Sequence, residues 1–357
     1  MIRPDCAERA LSDVLDRVAA TAVEVGSRFP LFADPDSGRW TTTRRGAWTG
    51  GFWAGLLWLR ARHTGDPADR AAASACTARL ARWAEADTAT RGLILWYGTA
   101  LAQSDSGAVA LRGRAAQACL DAVHPRLGLV PWGSAFGGPR LLARVDAVPG
   151  MVPLLAQAGP QGAAAAASHL DRHVELCLGT GELVPSWRFE ADAGWQACDD
   201  PPSGWSRGRA WLLLAVADAL LDPDAAQGKP AGLKAAAQVL AGGTEAPGRS
   251  VPPADEAQPE GPLDTSAAAI TAVALLKLAH LPGPRAAEFS ERGAAILDRL
   301  VSGHLTGRGG TRPAGMLLDG CYDAVRGIAP RHELVWGDFF LALGLAVLTG
   351  LVDVRNV

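Results

Sequence analysis

The stretch Cys198–Leu221, CDDPPSGWSRGRAWLLLAVADALL, sets two acids, two prolines, two glycines, two tryptophans and two arginines around the start of an almost wholly apolar run. A helix that is apolar on every side has protein against both of its faces, so it lies inside the molecule. Its polar and aromatic first turn then needs a use at one end of a buried element.

The same contrast recurs along the chain. Residues 5 to 25 carry Ala7, Leu11, Val14, Leu15, Val18, Val23 and Val25 largely on one face, with Glu8, Arg9, Asp13, Asp16 and Arg17 elsewhere, the pattern of an amphipathic surface helix. The next helical stretch, GAWTGGFWAGLLWLRAR, is apolar nearly all round. Segments near 67–86, 108–122, 160–179, 228–242 and 285–303 follow the first pattern, and those near 92–105, 145–158, 205–221, 264–281 and 334–350 follow the second. Alternation of surface and buried helices, about six of each, is what two concentric rings require. The sequence therefore predicts an all-α fold, a six-hairpin (α/α)6 barrel, as a single domain over residues 1–357. A solenoid is the alternative, but its repeats would resemble one another and these do not. No strand-rich block stands out; Gly128–Val130 and Met316–Leu318 are candidates for small hairpins, and Gly242 to Pro262 is a long loop.

Composition narrows the partners. The 357 residues are 48% hydrophobic and 20% charged, with a net charge of -3, and no run of Lys or Arg offers a surface to nucleic acid or an anionic membrane. The twelve tryptophans against two tyrosines suit either gaps between helices or a groove that stacks on sugar rings. Six scattered cysteines lack the spacing of a zinc site and read as free thiols. The N-terminus alternates charged with apolar residues and carries no signal-peptide core, so a cytoplasmic location is expected.

Polar or aromatic residues open each buried segment: Trp48, Arg91, Arg144 with Asp146, Trp205 with Arg207, Asp264, and Trp336 with Asp338. If all six inner helices run the same way, these ends converge on one pocket. Asp264 and Asp338 are each either helix caps or pocket acids. Arg207, at the start of an apolar helix, is either a ligand contact or the partner of Asp199, Asp200 or Asp338. Asp146, flanked by Val145, Ala147 and Val148, is either a cap or an acid whose apolar setting favours its protonated form, as a proton donor requires.

Taken in order, AWTGGFWAGLLWL, RVDAVPGMVPLL, GWSRGRAW, DTSAAAI, GMLLDGCYD and ELVWGDFF resemble the motif series of the unsaturated glucuronyl hydrolases, glycoside hydrolase family 88, with the unsaturated rhamnogalacturonyl hydrolases of family 105 as cousins. The resemblance implies an (α/α)6 barrel and a substrate whose terminal uronyl sugar has a C4=C5 double bond. Water is added across that bond, and the hemiketal opens to release the neighbouring sugar, with no cofactor or metal. Carried over by position, it implies Asp146 as acid/base, and Trp48, Trp132, Arg188, Gln196, Trp205, Arg207, Trp211, Trp336 and Asp338 around the substrate, a small oligosaccharide or other small anion.

Two departures accompany it. TRGLILWYG sets Arg91 and Gly92 against the His and Asp of the family's His-Asp-Leu-Gly-Phe motif, and Arg188 stands near the place of a site histidine. A more cationic pocket with one carboxylate fewer is expected. A sugar-binding pseudoenzyme, or a hydratase of another alkene or enol ether, stays open beside the hydrolase.

Overall fold

Among the described residues, twelve segments of alternating burial follow one another. The computed structural model describes residues 2–179, 181–226, 229–242 and 250–357. The outer helix α1 (Pro4–Val25) is followed by the inner α2 (Gly50–Thr64) and the outer α3 (Pro67–Ala78). A π-helical turn, Gly92–Trp96, takes the second inner position, ahead of the outer α4 (Ser106–Asp121), the inner α5 (Met151–Ala156) and the outer α6 (Gly159–Leu178). Next come the inner α7 (Ser206–Leu221), the four-residue α8 (Pro223–Ala226) and the outer α9 (Pro230–Gly242), then the inner α10 (Thr265–Leu278), outer α11 (Ala286–Gly303) and inner α12 (Val335–Leu348).

Packing closes these into a ring. Successive inner elements touch, from α2 through the π turn, α5, α7, α10 and α12, and α12 returns to α2. Burial follows: every residue of α10 is buried, as are Val335–Ala346 of α12, whereas α1 buries only one face. Val23 departs from the sequence expectation, standing 86% exposed on the outer side of α1. Along the axis Phe52, Tyr97, Trp211, Phe339 and Phe340 pack ring on ring, with centroids 5.1 to 6.1 Å apart, and fill the interior.

The second and third inner elements are shorter than their apolar runs suggest, because their backbones meet. A Cβ on Gly92 would lie 2.2 Å from the Met151 nitrogen, and one on Gly150 2.5 Å from the Gly92 oxygen. Gly150 also has a φ of +68°, which only glycine adopts readily.

Two small sheets, unforeseen in the sequence, brace the entry side. In one, β2 (Trp40–Thr43) pairs with β1 (Phe29–Ala33), which pairs with β6 (Glu333–Leu334). In the other, β3 (Leu142–Arg144), β4 (Ser186–Glu190) and β5 (Gly194–Ala197) run antiparallel, with Leu142 opposite Arg188. The stretches expected as hairpins hold only isolated bridges, His124 to Leu129 and Leu305 to Leu317. Of the loop read from Gly242 to Pro262, residues 243–249 lie outside the described residues. Among the described residues no helix is long and apolar enough to cross a membrane.

A buried ionic tie joins α1 to β6, the strand that leads into α12. Arg17 donates to Glu333 at 2.7 and 3.1 Å and to the Gly38 carbonyl at 2.6 Å. Asp338 lines the same tiny void, accepts from the Leu317 backbone N–H, and leaves one oxygen without a partner. Burial, and then the nearby Glu333, push the Asp338 carboxyl well above its ordinary range, and burial also raises Glu333, to about 7, against the pull of Arg17. A carboxyl raised in the folded state contributes stability below its ordinary pKa, and that contribution is lost as pH rises through the folded value. Asp338→Asn, which keeps the acceptor for Leu317, is expected to raise Tm at about pH 8, with the gain shrinking toward about pH 4. Thermal melts across that range check this, and a variant less stable than the parent at alkaline pH would contradict it.

Candidate active site

All six segments that enter the inner ring contribute to one cleft of about 420 Å³. Its floor is Trp211 and Leu93, and its walls include Trp48, Trp132, Phe136 and Trp205. The Trp132 loop is held by Asp87, which accepts from Ser134 and Arg140, and by Trp83 stacked on Phe136 at 5.2 Å. Four tryptophans of the twelve thus face one cavity, the arrangement that stacks on sugar faces.

Asp146 lies in this cleft, on the turn between β3 and α5, 18% exposed. The expected apolar setting is not what surrounds it. Arg144, two residues earlier, donates from Nε to one carboxylate oxygen at 3.1 Å and from Nη2 to the other at 3.2 Å. The pair straddles the end of β3: Arg144 is its last residue, and the chain turns at once through Val145–Ala147, which brings Asp146 back to the guanidinium. The guanidinium also lies over the Trp132 ring at 4.7 Å.

Arg207 behaves differently. Its Nη1 bonds Asp264 and the Cys321 carbonyl, the latter at 2.6 Å, and its Nη2 donates to the Tyr322 carbonyl at 2.8 Å. Trp205 and Trp336 flank it, with centroids 5.3 and 5.5 Å away. Its counter-ion is therefore Asp264 and none of the three acids expected from the sequence. Asp264 also caps α10, accepting from the backbone N–H groups of Ser266 and Ala267. With Nη1 held by Asp264 and the Cys321 carbonyl and one Nη2 proton by the Tyr322 carbonyl, Arg207 is fixed in the cleft wall that it lines. Trp336 is fully buried behind it, its Nε1 donating to Ser266 at 3.0 Å, and does not line the cleft.

The rim carries charge that the sequence reading did not assign. Arg326 bridges Asp200 at 2.8 Å and Asp323 at 2.7 Å, while Asp255 accepts from Ala257 and Gln258. These residues sit in CDDPP, PPADE and CYDAVRG, the loops before α7, α10 and α12. Their position ahead of buried helices was the available signal. The cleft is lined by four aspartates and three arginines.

No protein-family model matches the chain. Over 362 aligned residues, 93% of this chain and 94% of the relative, it is 26% identical to the unsaturated glucuronyl hydrolase of Bacillus sp. strain GL1. The chain is a homologue of unsaturated glucuronyl hydrolase. The solved structure of the Bacillus sp. GL1 protein superposes with a TM-score of 0.83 at 24% identity, covering 96% of both chains. An unsaturated glucuronyl hydrolase specific for heparin gives 0.83 at 17% identity, covering 99% of this chain and 100% of that one. The one from Streptococcus agalactiae gives 0.82 at 15%, covering 99% and 94%. All three share the α/α barrel.

Against the unsaturated glucuronyl hydrolase motif His-Asp-Leu-Gly-Phe, the structure corrects the register. Gly92 has no room for any side chain, and Arg91 turns away from the cleft to the carbonyls of Thr88, Ala84 and Ala118. The motif's glycine therefore belongs at Gly92, which sets Thr90 at the place of Asp and Ala89 at that of His. Thr90 does line the cleft, its hydroxyl 2.9 Å from that of Thr88. Three further expectations are also corrected. Arg188 and Gln196 face each other across β4 and β5 on an exposed ribbon outside the cleft; Arg188 pairs with Glu190 and Gln196 with the Ala193 carbonyl. Asp338 is walled off in the α1–α12 seam.

Gly92→Ala is expected to cost about 3 kcal/mol from overpacking against the Gly150–Met151 backbone, and Gly92→Asp at least as much. Thr90→Asp, at a position 2% exposed that lines the cleft and has no such backbone clash, is expected to fold and to lose less stability than Gly92→Asp. Parallel melts of the variants check the register; a well-folded Gly92→Asp would contradict it.

Proposed function

We propose that the chain is a hydrolase of 4,5-unsaturated uronyl oligosaccharides, built as one (α/α)6 catalytic domain and working by hydration of the C4=C5 bond. The observation that carries this is Asp146 at the wall of a cleft lined by four tryptophans, in a homologue of unsaturated glucuronyl hydrolase. The volume lies within the range of small-molecule sites, about 300 to 1,000 Å³, with room for a sugar or two. Trp48, Trp132, Trp205 and Trp211 stack on the sugars. Asp146 delivers a proton to C4 and accepts one from the water that attacks C5. The resulting hemiketal opens, and the neighbouring sugar leaves. One carboxylate suffices for both proton transfers, so the two-carboxylate spacing of ordinary glycosidases is not required. Six free thiols fit a cytoplasmic role on imported oligosaccharides.

The acidic rim narrows the neighbouring sugar. Asp200, Asp255 and Asp323 outnumber Arg326, and like charges placed together oppose binding. Neutral or amino sugars fit this rim better than sulfated ones. One observation favours a second reading, a sugar-binding protein without turnover: Thr90 stands where the homologous motif has a carboxylate.

Loss of the alkene's ultraviolet absorbance, followed with unsaturated disaccharides from chondroitin, heparin, gellan, xanthan and rhamnogalacturonan digests, is the test. Turnover is expected, with kcat/KM at least about tenfold higher for unsulfated than for sulfated forms. Asp146→Asn is expected to lower it by about 10² to 10⁴. Binding without turnover of any disaccharide would favour the second reading, and undiminished activity in Asp146→Asn would remove the assigned acid/base.

A further inference from the structure

Three arginines line the cleft, and only one is both inside it and able to change partners. Arg207 is knotted to Asp264 and to two backbone carbonyls. Arg326 stands 59% exposed at the rim between two aspartates. Arg144 is deeper, its side chain 21% exposed, and its only hydrogen-bond partner among the described residues is Asp146. That leaves its Nη1 and the second proton of Nη2 for an incoming oxyanion. A guanidinium fork matches a carboxylate as well as it matches Asp146.

We propose that Arg144 is the carboxylate receptor of this cleft and that a uronyl substrate takes it from Asp146. This rests on the reading of the chain as acting on unsaturated uronides and adds how its acid is prepared. In the free protein Asp146 is the partner of a cation. When the sugar carboxylate occupies the fork, Asp146 loses its counter-ion and gains a like charge as neighbour, which favours its protonated form. Asp146 then takes one proton from solvent and passes it to C4 of the alkene. Water adds to C5, and the proton that water sheds returns to Asp146, so the net change is one water added to the double bond. Uronate thus assembles the acid that acts on it, and a neutral sugar leaves Arg144 where it was.

The surroundings leave this exchange to few charges. Behind Asp146, on α6, burial holds the His173 imidazole down at about 4 and the Cys177 thiol up at about 12, so both are neutral near pH 7. On the strand exit before α7, Cys198 and Asp200 act on Arg144. Across the cleft Arg207 is already paired, and Asp255, Asp323 and Arg326 belong to the rim. Of these, only Asp200 is a charge acting on the pair from its own side of the cleft, and it does not contact Asp146.

The test uses probes that cannot react: a saturated glucuronyl disaccharide and its neutral glucosyl counterpart. Calorimetry in buffers of different ionisation enthalpy counts the protons taken up on binding. The parent is expected to prefer the glucuronyl probe by about 10- to 100-fold, the range for hydrogen bonds to a charged group, and to take up a proton with it but none with the glucosyl probe. Arg144→Gln is expected to bind both probes within about threefold and to take up no proton, while Arg144→Lys retains part of the preference. Asp146→Asn is expected to keep the preference and lose the uptake. Circular dichroism confirms that each variant folds. Where turnover is measurable, the alkaline limb of kcat is expected at higher pH than that of kcat/KM, and the two converge in Arg144→Gln. Unchanged preference and uptake in Arg144→Gln would overturn the proposal even if unsaturated disaccharides are hydrolysed. Failure of every disaccharide to turn over, with the Arg144-dependent preference intact, would remove the hydrolase reading and leave the receptor.

Discussion

A charged side chain at the first turn of a helix with no exposed face must be neutralised where it stands, and the pair of Arg207 with Asp264 meets that demand. Both side chains are almost fully buried, and separating such a pair leaves a desolvated charge, at a cost of about 3 to 5 kcal/mol. Asp264 caps α10, Arg207 begins α7, and the carbonyls of Cys321 and Tyr322 belong to the loop that enters α12. Three consecutive inner helices are thereby fixed at one end. Trp205, Trp336 and Ser266 complete the knot, and the cleft takes its shape from it.

With that end fixed, the rest of the site follows from its neighbours. Short extended segments, β3 through β5, set Arg144 and Asp146 side by side, while aromatic packing along the barrel axis closes the floor. The charge in the cleft is sorted by depth. A pair whose partner can be exchanged lies inside, a permanent pair forms the wall, and an excess of aspartate surrounds the mouth. Under the proposed function this sorting separates the recognition of the uronyl carboxylate from the selection of the sugar beside it.

Much of this was legible in the chain because burial leaves its mark on composition. The alternation of one-sided and all-round apolar segments gave the two rings, and the polar openings of the apolar segments gave the position of the cleft, including Trp48, Asp146 and Trp205, while Trp132 and Trp211 came from the family resemblance. What escaped was set by contacts between distant segments. The partner of Arg207 is 57 residues away, brought near because α10 packs beside α7, while closer acids in the sequence lie on the rim. Gly92 was misread as a lost carboxylate because its requirement is steric and comes from the backbone at Gly150 and Met151. Arg188 and Gln196 lie on a ribbon whose outward face no periodicity in five residues could reveal, and Asp338 points back toward Arg17 on a helix that is buried on all sides.

The central claim is that this cleft protonates an alkene and does not attack a glycosidic carbon. Running the reaction in deuterium oxide, with the product analysed at early times, tests it directly. Hydration predicts one deuterium on a single face of C4 in the 4-deoxy-5-keto uronate that forms from the unsaturated sugar, with the linkage oxygen retained by the leaving sugar. A product bearing no deuterium at C4, with solvent oxygen at C1, would contradict it.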